Sequence, residues 1–235
     1  MVKSELVKRS PLRTFEKAMH GGLEAGNIGI LASRKGVGKT ACLVHIATDK
    51  LMQGKKVLHV SYAARVDHII NWYEDIFKEI SKRRNLENAV DVHDEIIKNR
   101  VIMSFSKEGI KIEQVLKSLE AMILEGGFPA DMIIFDGFDF VPSSRDDLIK
   151  IKDFTQRLKL ETWFSASLKA PEPVFNADGF PAELLEVLSV ADVLITLRFE
   201  GAQVKFHLLK EREGIYKQDM HLILDHKTLL IEEEA

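Results

Sequence analysis

A glycine-rich segment near the N-terminus carries the residues best suited to chemistry. It reads Ser33-Arg34-Lys35-Gly36-Val37-Gly38-Lys39-Thr40, a GxxxxGK(S/T) pattern without its first glycine, between a predicted strand and a predicted helix. Glycines let backbone N–H groups turn around an anion, and the following helix directs its free amides and positive dipole end to the same place. Lys39 would reach the β and γ phosphates of a nucleoside triphosphate, and the Thr40 hydroxyl would bind Mg²⁺. The sequence therefore predicts a phosphate site that runs from Ser33 to Ala41.

Two other interpretations of this segment stay open. Residues 36–41 also satisfy the dinucleotide fingerprint GxGxxA, which needs an acid at the end of the next strand to bind a ribose hydroxyl. Tyr62 and Ala63 occupy that region, and no acid is present there. The other interpretation is a glycine turn that binds no ligand. A lysine and a threonine that open a helix directly after a strand favour the phosphate interpretation over both.

A second element points to the same site. Met132-Ile133-Ile134-Phe135-Asp136 is an apolar run that ends in a carboxylate, as expected of a buried strand that delivers an aspartate to Mg²⁺ or its water shell. Many buried strands end in aspartate, so the run alone is a weak signal. Its distance of about 100 residues from the glycine-rich segment, with one strand between them, supports a common site. We expect Asp136 and Thr40 to be the two metal-side residues.

These residues require a scaffold, and the hydrophobic pattern predicts one. Short apolar runs rich in β-branched residues alternate with longer segments of helical period, which predicts an α/β fold with a mostly parallel central sheet covered by helices. The predicted strands are 27–33, 56–62, 100–105, 131–135 and 162–167, with helical periodicity over 66–80 and 112–123. Residues 82–85 form a basic spot, which we interpret as a solvated helix end, and a polar stretch follows to about Asn99. In the last third, apolar and polar residues alternate over 203–208 and 220–224, which predicts C-terminal antiparallel strands.

The composition excludes several classes of protein. With 235 residues, 46% of them hydrophobic and 29% charged, the chain can bury a full core, and general disorder is excluded. We expect one domain over residues 1–235, with residues 1–10 as a flexible N-terminus. No apolar run reaches the roughly 18 to 20 residues of a membrane helix and the N-terminus has no secretory signal, so we expect a cytoplasmic protein without membrane insertion. The net charge of -3 does not indicate a nucleic-acid partner, and we expect the single cysteine, Cys42, to be a small core filler.

With these motifs in place, the sequence resembles the RecA-like P-loop ATPases, and within them the KaiC family and the ATPase domain of the replicative helicase DnaB. The run from Gly21 to Ile28 is similar to the GGLxxGxL lead into the first strand of these families. Residues 32–40 are similar to the DnaB version of the phosphate loop (Walker A), which also lacks the first glycine. The resemblance covers about residues 10–232. It implies ATP and Mg²⁺ at the carboxyl ends of the strands and assembly into homo-oligomeric rings, often hexamers.

Near the C-terminus, Lys210-Glu211-Arg212 looks like the KxR element that these families place against the γ-phosphate of a neighbouring subunit. The resemblance implies that Lys210 and Arg212 act in trans, where a cation neutralises the charge that spreads over the γ-phosphoryl oxygens. A charged hairpin end is the alternative interpretation. With Lys39 and Asp136, these two residues complete the set of candidate catalytic residues.

Hydrolysis is the point at which the sequence departs from the family. The family carries a glutamate just after the second strand to activate the attacking water, whereas this chain carries Ala63 there. A methyl group cannot accept a proton, and a general base is worth about 10²- to 10⁴-fold. Asp139 could substitute only if its loop folds back. The fifth strand ends Ser165-Ala166-Ser167-Leu168, where DnaB carries a glutamine that senses the γ-phosphate.

Three functions are open on the sequence alone. The first is an ATP-binding protein that uses Mg·ATP as a conformational or assembly switch on an unidentified protein partner, with a slow or absent ATPase activity. The second, an ATPase motor on DNA or RNA, is disfavoured because the loops that the resemblance assigns to nucleic acid, about 137–147 and 169–181, carry acidic residues that repel phosphates. The third is a structural or signalling protein whose phosphate loop is vestigial.

Overall fold

One sheet forms the centre of the protein in the computed structural model, which describes residues 1–62, 65–106, 108–140, 144–170 and 172–234. Nine strands of this described part make the sheet: β1 (Ile28–Arg34), β2 (Val57–Ser61), β3 (Arg100–Ser104), β4 (Met132–Asp136), β5 (Glu161–Leu168), β6 (Val193–Glu200), β7 (Gln203–Glu211), β8 (Gly214–Leu224) and β9 (Ile231–Glu233). Their order is β3-β2-β4-β5-β1-β6-β7-β8-β9. The strands from β3 to β6 pair in parallel, and β6 to β9 pair antiparallel. The predicted α/β class, with a mostly parallel sheet and C-terminal antiparallel strands, is confirmed.

Helices cover both faces of this sheet. The α-helices are α1 (Lys3–Lys8), α2 (Leu12–Ala18), α3 (Lys39–Met52), α4 (Asp67–Arg84), α5 (Ala89–Lys98), α6 (Ile112–Glu120) and α7 (Ser144–Leu158). A π-helical turn (Ala121–Glu125) extends α6, and a 3-10 helix (Ala182–Val187) precedes β6. The first five helices pack with β7 to β9 in one apolar cluster, and α6, α7 and the two short helices pack in a second one on the opposite face.

The sequence pattern predicts the strands of the parallel part because they are continuous apolar runs. Ile30, Ile133 and Phe164 are fully buried, as expected of strands covered on both faces. The pattern does not predict α5, which lies in the stretch described above as polar. That helix turns only Val92 and Ile96 into the core, so its apolar face is too narrow to stand out.

The N-terminal residues form two short helices rather than an extended tail. Leu6 of α1 and Leu12 and Phe15 of α2 are buried in the apolar cluster that also holds α3. The side-chain ammonium of Lys3 donates a hydrogen bond to the carboxylate of Glu95 in α5, with Nζ and Oε2 2.5 Å apart. That residues 1–10 are flexible stays a prediction. The organisation of the chain as a single domain also stays a prediction.

The sheet topology brings several strand ends together. Because β1, β2, β4 and β5 are parallel, their carboxyl ends lie along one edge, and α3 begins at that edge directly after the loop that follows β1. Open parallel sheets bind ligands at this edge. The residues with predicted phosphate and metal roles in 33–41 and at Asp136 lie there.

Candidate functional site

The phosphate loop joins the buried end of β1 to α3. Gly36 and Gly38 have φ angles of +85° and +119°, a backbone conformation that residues with a Cβ rarely adopt. A Cβ on Gly38 would also lie 2.4 Å from Leu224 Cδ2, so the loop packs directly against the end of β8. Val37, between the two glycines, is buried in the core and anchors the loop. The loop therefore has the backbone that a phosphate cradle needs.

Lys39 lies across this loop. Its Nζ donates to the carbonyl oxygens of Arg34 and Ser33 at 2.9 and 3.1 Å and to the Ser33 hydroxyl at 3.2 Å. Ser33, the residue that departs from the GxxxxGK(S/T) pattern, thus contributes a hydroxyl acceptor where a glycine would contribute none. Burial of the ammonium lowers the pKa of Lys39 to about 8, and the negative charge of Asp136 opposes that shift. The cation is therefore largely buried, and its hydrogen bonds go to oxygens of the loop itself.

The metal-side residues meet at the same place. The Thr40 hydroxyl donates to the two carboxylate oxygens of Asp136 at 3.0 and 3.2 Å. Ser165 of β5 donates to Asp136 Oδ1 at 2.6 Å and accepts from the backbone N–H of Gly137 at 2.8 Å. A hydroxyl and a carboxylate are hard oxygen ligands of the kind that Mg²⁺ binds through one or two protein groups, its water shell and the substrate phosphates. The donor set fits Mg·ATP: Thr40 and Asp136 would hold the ion, and residues 33–41 would hold the phosphates.

A pocket of about 330 Å³ opens over these groups. Lys35, Gly36, Gly38, Lys39, Thr40, Ala41 and Asp136, all predicted site residues, line it. Its other lining residues are Tyr62, Trp72, Gly137, Ser165, Ser167 and Leu229. The volume falls within the range of small-molecule sites, which is about 300–1,000 Å³. The structure thus brings these predicted residues together in one cavity of suitable size, whereas Ser33, Arg34 and Val37 of the predicted phosphate site do not line it.

Several lining residues were not among the predicted site residues. Tyr62 follows β2, and Ser165 and Ser167 belong to β5, so their position at the carboxyl ends of predicted strands was a usable signal. Leu229 comes from the turn between β8 and β9, and nothing in the local sequence places that turn beside the phosphate loop. The Tyr62 phenol is partly buried, which raises its pKa to about 12 and keeps its proton in place at neutral pH.

The structure does not bring Lys210 and Arg212 to the pocket of their own chain. Lys210 pairs with Leu194 in the sheet, and Leu194 pairs with Ile30 near the start of β1. Lys210 thus lies level with Ile30, and β1 continues for four more residues, about 13 Å, before it reaches the phosphate loop. The Lys210 ammonium donates to the carbonyl oxygens of Ala191 and Arg212 at 2.6 Å each, and Arg212 forms an exposed ion pair with Glu24 at 3.0 Å. Their predicted role in trans needs a second subunit and stays a prediction.

The predicted loss of the catalytic base concerns Ala63, which lies outside the described residues. Asp139, its suggested substitute, is not among the residues that line the pocket, and its carboxylate pairs with Lys169 at 2.8 Å. In the same loop, Phe138 and Phe140 pack against Phe164 with ring centroids 5.2 and 5.8 Å apart. These two aromatic rings are therefore partly buried against the core.

Among the described residues, every helix is too short or too polar to span a lipid bilayer.

Comparisons with known proteins place this site in a family. A search of curated proteins finds no match. A family model described as an AAA domain matches residues 2–147, well over half of the chain and a range that includes the phosphate loop and Asp136. The chain therefore belongs to the AAA domain family of P-loop ATPases, proteins that bind ATP at a site of this kind.

Proposed function

We propose that this protein binds Mg·ATP in the phosphate-loop pocket and uses the bound nucleotide as a conformational or assembly switch, with slow or absent hydrolysis. Lys39 and the loop amides hold the triphosphate, and Thr40 and Asp136 hold Mg²⁺ or its water shell. In this proposal the chain is a KaiC- or DnaB-like ATPase domain that keeps the binding machinery of its family and lacks the base that activates water.

One observation carries the proposal on hydrolysis. Asp136 is the only carboxylate among the described residues that line the pocket, and the hydroxyls of Thr40 and Ser165 already bind it. A carboxylate that is committed to a metal ion is a poor base, so activation of water needs a second acceptor. Tyr62, with a pKa of about 12, is protonated at neutral pH and does not supply one. Ala63, at the family's glutamate position, offers only a methyl group.

Binding alone is sufficient to operate a switch. A ligand bound by one state only stabilises that state by RT ln(1 + [L]/Kd), about 2.7 kcal/mol at a hundredfold excess over Kd. The pocket adjoins the C-terminal part of the chain, because Leu229 of the β8–β9 turn lines it and Leu224 at the end of β8 lies beside Gly38. The bound nucleotide would thus touch the phosphate loop and the C-terminal strands at the same time.

The first experiment measures binding through Trp72. Of the two tryptophans, Trp72 lines the pocket and Trp163 is buried in the core at 1% exposure. We expect Mg·ATP to change the intrinsic fluorescence of the wild type and of Trp163→Phe, and to leave Trp72→Phe unchanged. Lys39→Ala is the control for the site, and it should also abolish a rise in melting temperature with Mg·ATP. An equal rise in Lys39→Ala would contradict the proposed binding mode.

The second experiment tests the missing base. Ala63→Glu restores the carboxylate that the family carries, so we expect wild type and variant to bind Mg·ATP alike and the variant to hydrolyse it faster, by about 10²-fold or more. Ala63→Gln is the matched control, because it has the same length without a basic carboxylate. Brisk and equal turnover in all three proteins would show that another group activates water.

The assembly part of the proposal rests on Lys210 and Arg212. Within one chain they lie at the opposite end of the strands from the phosphate loop, so they can reach a γ-phosphate only on a neighbouring subunit. A homo-oligomer in which one subunit presents Arg212 to the pocket of the next would make assembly depend on the nucleotide. An ATPase motor on DNA or RNA is the competing function, and salt-dependent binding of a labelled oligonucleotide would favour it.

A further inference from the structure

A second cavity lies on the same side of the sheet, away from the phosphate loop. Its volume is about 500 Å³, and it is enclosed by the α1–α2 junction, the middle and end of α3, the end of α4, and β9. Leu6, Met52, Ile80 and Leu230 give it an apolar lining, and His45, Arg9 and Arg84 give it a polar one. We call it the His45 pocket. None of its lining residues belongs to the phosphate-loop pocket.

His45 is the polar group built into this cavity. It is only 3% exposed, and its Nδ1 accepts a hydrogen bond from the backbone N–H of Ile231 at 2.9 Å. Burial lowers the pKa of His45 to about 3, so the imidazole is neutral at pH 7. In a neutral imidazole whose Nδ1 is an acceptor, the proton resides on Nε2. Among the described residues the ring makes only the hydrogen bond through Nδ1, and His45 lines the cavity, so its Nε2–H is a donor without an acceptor there.

The charged residues that line the cavity are three arginines, Arg9, Arg83 and Arg84, and two glutamates, Glu232 and Glu233. Arg84, on the last turn of α4, is exposed and has no ion-pair partner among the described residues, and Arg9 pairs loosely with Glu5 at 3.5 Å. Arg83 is different, because it pairs with Glu232 and with Asp225. The acids of β9 are likewise engaged, since Glu233 accepts from the Thr14 hydroxyl at 2.5 Å. Among the described residues, Arg84 is thus the arginine of this cavity without an ion-pair partner, whereas Arg9, Arg83 and the two glutamates each have one partner or more.

We propose that the His45 pocket binds a small organic anion with an apolar body. The anionic group, a carboxylate or a similar oxyanion, accepts a hydrogen bond from the His45 Nε2–H and pairs with Arg84. The apolar body packs on Leu6, Met52 and Ile80. The cavity has the size of a small-molecule site, and apolar side chains line it beside polar and charged ones. It has neither a glycine-rich loop for a triphosphate nor a pair of free carboxylates for a metal ion.

The test compares two probes of equal chain length, one that ends in a carboxylate and one that ends in a neutral hydroxyl. Isothermal titration calorimetry with decanoate and with decanol should show that the nucleotide-free protein binds decanoate at least about tenfold more tightly, because both head groups can accept from the imidazole N–H but only the carboxylate forms an ion pair with the arginine. Arg84→Gln should remove most of that difference. Lys82→Gln is the matched control, because Lys82 is equally exposed on α4 and does not line the cavity. Equal affinities for the two probes, or equal losses in both variants, would overturn the proposal.

A second pair of variants tests His45 without depending on the arginines. His45→Gln can keep both the acceptor for Ile231 and a donor toward the cavity, whereas His45→Met keeps neither. We expect near wild-type decanoate binding in the first variant and a loss of at least about fivefold in the second. Because decanoate would contact none of the phosphate loop, Lys39→Ala should bind it like the wild type. That result would separate this site from ATP binding, and a parallel loss in Lys39→Ala would contradict it.

Discussion

At the scale of single residues, Lys39 connects pH to nucleotide binding. Its pKa in the folded protein, about 8, lies below the ordinary 10.5 because burial disfavours the ammonium. A triphosphate favours the charged form, so above pH 8 ATP binding takes up a proton and Kd should rise by up to about tenfold per pH unit. Calorimetry of Mg·ATP binding between pH 7 and 9.5, in buffers of different ionisation enthalpy, would show this proton uptake. A Kd that stays constant over this range would contradict it.

The lowered pKa of Lys39 also changes how the stability of the folded protein depends on pH. Between pH 8 and 10.5 the unfolded chain binds more protons at Lys39 than the folded chain does, so this residue makes the free energy of unfolding rise with pH across that window. Lys39→Met lacks the titrating group. We therefore expect urea unfolding of the nucleotide-free wild type to gain stability relative to Lys39→Met as the pH rises from 8 to 10. A constant difference between the two proteins would show that the ammonium is well solvated.

Ser165 is the residue that fixes the metal-side carboxylate. Its hydroxyl binds the buried Asp136 carboxylate and the partly buried Gly137 N–H together, so Ser165→Ala leaves both groups without that partner. We expect a loss of about 1.5–3 kcal/mol in the free energy of unfolding, together with weaker Mg²⁺-dependent ATP binding. Ser118→Ala, which removes an exposed hydroxyl on α6, is the control and should change stability by less than about 0.5 kcal/mol. Equal effects of the two substitutions in urea unfolding would exclude this role.

At the scale of elements, the end of β8 and the phosphate loop share one contact. A Cβ at position 38 would collide with Leu224 Cδ2, so Gly38→Ala should reduce ATP binding both through backbone strain and through displacement of the loop. Adding Leu224→Ala removes the collision but not the strain. A double-mutant cycle on the free energy of unfolding should therefore show a favourable coupling of about 0.5–3 kcal/mol. Additive effects would show that the loop and β8 respond independently.

The elements also show what the sequence can predict. Lys39, Thr40 and Asp136 are predictable because each sits at the end of a continuous apolar strand or at the start of the next helix, where local pattern and chemistry agree. The helix α5 is not predictable from the sequence, because its buried apolar face comprises only two residues in a polar stretch. The roles of Ser165, Leu229 and His45 depend on which distant segments meet. His45 and Ile231, like Ser165 and Gly137, are far apart in the sequence, and nothing in the sequence predicts that they form hydrogen bonds in the fold.

At the scale of the whole molecule, the exposed Arg212–Glu24 pair provides a test of assembly. Such a surface pair contributes about 0–1 kcal/mol to stability, so its loss should not unfold the chain. If Arg212 acts on a neighbouring subunit, Arg212→Ala should weaken the oligomers that form with a non-hydrolysable ATP analogue and Mg²⁺, and leave nucleotide binding intact. Glu24→Ala breaks the same pair and keeps the arginine, so it should assemble normally in sedimentation velocity. Equal defects in both variants would assign the effect to the pair itself.

The helix α3 has a further consequence for the molecule. Its first turn carries Lys39 and Thr40, and His45 and Met52 further along it line the second cavity, so one rigid rod forms a wall of both chambers. If filling one cavity displaces α3, the shape of the other cavity changes as well. Thermodynamic reciprocity then requires that a ligand in the His45 pocket change the affinity for ATP by the same factor by which ATP changes the affinity for that ligand. Binding at the two cavities would in that case be coupled through a single helix.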